Sequence, residues 1–74
     1  MSVPGAGTSQ VHIDEAARQL ELAVHDARVA YDCIQLGELD RANTSAITAR
    51  AAADAAVTLL RAALGEGTGA RDDS

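Results

Sequence analysis

Apolar residues recur along this chain at alternating steps of four and three: Ile13, Ala17, Leu20, Val24, Ala27, Tyr31 and Ile34. Such spacing keeps a stripe on one side of an α-helix, here for three heptads. After a break at Gly37 a similar spacing resumes in Leu39, Ala42, Ala46, Ala49, Ala53, Val57, Leu60 and Leu64. The pattern predicts an all-α chain of two helices folded back as an antiparallel hairpin. Its large members, Ile13, Leu20, Val24, Tyr31, Ile34, Leu39, Val57, Leu60 and Leu64, are expected to be the hairpin core. Large residues on one seam would face small ones on the other.

Breakers and caps set the boundaries. Pro4, Gly5 and Gly7 predict a flexible lead over residues 1–8. Ser9 or Asp14 can cap the first helix, which is expected to run from residue 9 or 14 to 36. Gly37 fits the position after a helix, where a left-handed backbone suits glycine. With a turn over 37–39, Asp40 or Ser45 is the candidate cap of a second helix reaching residue 64. The stretch 65–74, "GEGTGARDDS", predicts a disordered acidic tail.

A second stripe changes the picture. Leu22, Val29, Cys33 and Leu36 share another side of the first helix, away from Val24. One helix cannot cover two sides of another, and each large side chain left in water forgoes about 1.5–3 kcal/mol. These four residues are therefore the expected partner or oligomer interface, with two hairpins joining as a homodimeric four-helix bundle. Length points the same way, since a single core in 74 residues supplies only a few kcal/mol.

Charge and composition narrow the functional classes. Six Arg, no Lys and eleven acids give a net charge of −5, which disfavours direct nucleic-acid binding. With one Tyr and no Phe or Trp, stacking platforms for bases are missing too. From Asp14 to Leu36 the net charge is −3, and from Asp40 to Leu64 it is +1, so antiparallel pairing is electrostatically favoured. No segment reads as a signal peptide or membrane span, and the expected location is the cytoplasm. Alanine-rich, lysine-free usage suggests a bacterial chain.

Candidate chemistry is sparse. Glu21 and His25, one turn apart, are the only metal-ligand candidates, and because the spacing offers just two ligands on one helix, a metal or small-ligand site built from two such pairs across a symmetric bundle is a second alternative function. Cys33 has no His or Lys positioned to lower its thiol pKa and lies towards the unfavourable end of a helix dipole. No cofactor and no catalytic residue is assigned. The expectation is a non-enzymatic module that contacts an unidentified protein, as a regulator, inhibitor or adaptor.

Two resemblances bear on this reading. "LGELDRA", Leu36 to Ala42, resembles the inter-helix turn of a tetratricopeptide repeat, in a single copy. The hairpin is also similar in shape to the small helical-hairpin proteins of type VII secretion, which implies a heterodimeric cargo or chaperone as the alternative function. That family carries Trp-X-Gly at the turn and a tyrosine signal near the C-terminus. Here the turn reads Leu36-Gly37-Glu38, and no tyrosine follows the second helix.

Overall fold

The structure, a computed structural model, describes the backbone of residues 4–68 and the side chains of residues 9–65. Two helices, α1 (Pro4–Gln35) and α2 (Leu39–Thr68), pack against each other as a hairpin. The pair is one layer, 12 Å through its thinnest direction.

The turn follows from backbone chemistry. Gly37 has φ +77°, the only positive φ among the described residues, in the region where glycine avoids the Cβ clash of other residues. Its N–H donates to the Ile34 carbonyl at 3.0 Å, and the Glu38 N–H donates to the Cys33 carbonyl at 2.8 Å. This Schellman pair satisfies carbonyls that α1 would otherwise leave open. The Glu38 carbonyl already accepts from the Ala42 N–H at 2.9 Å, so Glu38 occupies the N-cap of α2. Asp40 lies inside the first turn of α2, and Ser45 lies further along the helix. Neither is the cap, because the chain re-enters helical geometry directly after the Schellman turn.

Both helices outrun their expected ends. α1 includes residues 4–8, beginning on a proline, whose missing N–H is one that the first helical position leaves unbonded anyway. α2 continues through 65–68, because Gly65, unlike Gly37, keeps a backbone that does not turn left-handed. The rest of the expected lead and tail, 1–3 and 69–74, lies outside the described residues.

The core is the main correction. Buried residues are Ala16, Ala30, Cys33, Ala42, Ala52, Ala56 and Ala63. With the half-buried Gln19, Ala23 and Asp26 on α1, and Ser45, Ala49 and Leu59 on α2, they form two stripes spaced by threes and fours. None of the nine large residues expected in the core is there: Ile13, Leu20, Val24, Tyr31, Ile34, Leu39, Val57, Leu60 and Leu64 are all exposed. A connection of only Leu36 to Glu38 holds the helix axes close, and close axes admit methyl groups in preference to leucines.

Candidate interaction surface

The small-residue seam leaves the large residues somewhere definite. At 100° per residue, Ile13, Leu20, Val24, Tyr31 and Ile34 project to one side of the α1 seam. Leu39, Val57, Leu60 and Leu64 project to the corresponding side of the α2 seam. Because the helices are antiparallel and both right-handed, these two sides fall on the same broad face of the hairpin. Ala17, Ala27, Ala46 and Ala53 fill the intervals, and Asn43, Arg50 and Arg61 are polar residues on its α2 margin.

This face is uninterrupted on α1. Two shallow, open grooves follow it, one lined by Ala17, Leu20, Glu21 and Val24, the other by Val24, Ala27, Arg28 and Tyr31. Tyr31 is 61% exposed and Val24 63%, so neither packs within the hairpin. The polar walls Glu21 and Arg28 stand at the outer edge of α1, where charges commonly rim an apolar patch.

The residues expected to be an interface are split among different surroundings. Cys33 is buried in the seam at 5% exposure, because its position is level with Ala42 beside the turn. Val29 is half-buried at the seam's flank. Leu22 and Leu36 are exposed, on the opposite broad face. That face is mixed, since Arg18, His25 and Asp32 of α1 and Arg41, Thr44 and Thr48 of α2 project to it.

Its polar groups satisfy one another locally. Arg18 donates to Glu15 at 3.2 Å, and Gln19 Nε2 donates to the other Glu15 oxygen at 3.1 Å. The Gln19 hydrogen bond first, and then Arg18, hold the Glu15 carboxyl below its ordinary pKa. Arg41 pairs with Glu38 at 3.0 Å within the first turn of α2. Thr44 and Thr48 donate their hydroxyls to the Asp40 and Thr44 carbonyls one turn back, at 3.1 and 3.0 Å.

The two candidate metal ligands lie on the outside of the hairpin. Glu21 and His25 are both exposed, and His25 Nδ1 lies 3.2 Å from the Asp26 carboxylate instead. Glu21 points off the hairpin's edge and His25 towards the mixed face. Among the described residues, no three His, Cys, Asp or Glu side chains are grouped to hold a metal. Among them, too, no helix is long and apolar enough to cross a membrane.

Hydrophobic size points to the large residues as the inside, whereas the hairpin's inside is the alanine seam. The signal was present in Ala16, Gln19, Ala23, Asp26, Ala30 and Cys33, spaced 3-4-3-4-3. Small and short polar residues at heptad positions mark a close helix contact as well as leucines mark a wider one.

No family model matches the chain, and no curated protein or solved structure is significantly similar to it.

Proposed function

We propose that this chain is a non-enzymatic protein–protein interaction module, working in the bacterial cytoplasm as a helical-bundle oligomer. One observation carries the reading: a hairpin whose own core is alanine presents nine of the thirteen exposed large apolar residues among the described residues on one broad face. Burying a methyl group contributes about 0.8 kcal/mol, against about 1.5–3 kcal/mol for a large aliphatic side chain. The energy available on the open face therefore exceeds that already used in the seam. Domains are ordinarily built from at least two packed layers, and the second layer is supplied by another chain.

A second copy is the simplest supplier. Two helices of about 40 Å, set about 10 Å apart, make a face of roughly 800 Å², which matches the area each partner contributes to a stable interface. With that face occupied, Leu22 and Leu36 on the mixed face stay accessible for a further protein, which makes the module a regulator, inhibitor or adaptor.

Purification of the chain alone discriminates this from the heterodimeric cargo or chaperone suggested by the type VII shape. A homo-oligomer is helical and melts cooperatively without any other protein. A chain that is unfolded or aggregated by itself, and folds only with a different hairpin, would reverse the assignment.

A further inference from the structure

The apolar face has an uneven profile, and the unevenness selects one way of pairing two copies. On α1 the bulk is concentrated from Leu20 to Ile34, towards the turn. On α2 the stretch nearest the turn, beyond Leu39, offers only Ala46 and Ala53 as apolar residues, and the bulk returns at Val57, Leu60 and Leu64. Counting outward from Gly37 and Glu38, Tyr31 is level with Thr44, beside Ala46, and Val24 is level with Ala51, beside Ala53. The tall part of α1 therefore stands at the height of the hollow part of α2.

Two symmetric face-to-face dimers are available. If the turns lie at opposite ends, α1 covers the partner's α1 and α2 covers the partner's α2. Leu20 of each copy then meets the partner's Val24 near the centre of one pair, whereas Ala53 meets its counterpart near the centre of the other. One side is crowded and the other hollow, and cores tolerate neither well. If the turns lie at the same end, each α1 covers the partner's α2, and Tyr31 and Val24 enter the hollows at Ala46 and Ala53.

Charge agrees with shape. The same-end dimer lays the α1 stretch of net charge −3 over the partner's α2 stretch of net charge +1, whereas the opposite-end dimer stacks −3 on −3. Complementary potentials of this kind fix orientation more than affinity. In both arrangements neighbouring helices are antiparallel, so helix dipoles do not distinguish them.

Building on the proposed self-association, we infer that two copies pair through the Leu20, Val24 and Tyr31 face about a two-fold axis parallel to the helices. Both turns then emerge at one end, and α1 of each copy lies on α2 of the other. The Leu22 and Leu36 surfaces face outward on opposite sides of the bundle, making it bivalent.

Spin labels placed near the turn test the geometry in the full chain. Gln35→Cys on α1 and Asp40→Cys on α2, each in a Cys33→Ala background, are both at exposed sites. Pulsed dipolar spectroscopy should give label separations of about 30 Å or less at both sites if the turns share an end. Opposite-end pairing gives about 40 Å or more, from the helical rise alone. Long separations in a sample of dimeric mass would overturn this pairing and leave self-association standing. Monomeric mass with no dipolar coupling would overturn both. Circular dichroism of each labelled variant establishes that it is folded, and agreement between the two sites guards against a local effect of either.

Discussion

Cys33 and Ile34 are neighbours whose carbonyls accept the two hydrogen bonds that close α1, yet their side chains belong to different surfaces. Cys33 is 5% exposed in the seam, and Ile34 is 54% exposed on the broad apolar face. One residue of helical rotation, 100°, separates the inside of the hairpin from the exposed apolar face.

Leu20→Asp should release the oligomer. The substitution places a charge at the centre of the apolar face, and an unpaired charge is poorly tolerated in a desolvated contact. Sedimentation velocity should show association weakened at least about tenfold, with the population shifted towards monomer, about 1.4 kcal/mol or more in binding. The double variant Leu22→Ser with Leu36→Ser, on the opposite face, should leave the sedimentation coefficient unchanged.

Ala56→Leu should destabilise the hairpin itself. Ala56 is 1% exposed, and the larger side chain must push the helix axes apart. Thermal unfolding should show a loss of about 1–3 kcal/mol. A lone-hairpin core of leucines would predict the reverse, with this alanine replaceable at little cost.

Gly37→Ala tests the turn. No atom lies within 4 Å of the Cβ it would add, so the cost comes from φ +77° alone. About 1–2 kcal/mol is expected from the left-handed backbone, and Gly37→Asn should cost less because asparagine tolerates that region. Denaturant melts of the two variants give the ranking.

Acid should weaken α1 through Glu15. Its pKa is depressed in the folded chain by Gln19 and Arg18, so its contribution is present above the unfolded pKa and is lost as pH falls through the folded one. The group is in solvent, so the effect is small. Glu15→Gln should flatten the acid limb of a melting-temperature profile, and an unchanged profile would remove Glu15 from it.

Much of the fold was legible in the sequence, and the inside of the hairpin was not. The 4-3 spacing and Gly37 specify two helices and the turn, because periodicity and a left-handed glycine are local properties. Which stripe faces the sister helix is a tertiary property, set by how close the turn holds the axes. Leu20 and Val57 were expected inside because hydrophobic size suggests burial. They share a face as the spacing implies, but it is the face turned away from the seam. Cys33 moved the other way, from expected interface to hairpin core, because the seam selects smallness.

Mass in solution tests the central claim most directly. Light scattering on the unmodified chain at micromolar concentration should give twice the 7.6 kDa chain mass, with helical circular dichroism. A well-folded, cooperatively melting species at 7.6 kDa would mean that the apolar face stands in water without a second copy, contradicting the proposal.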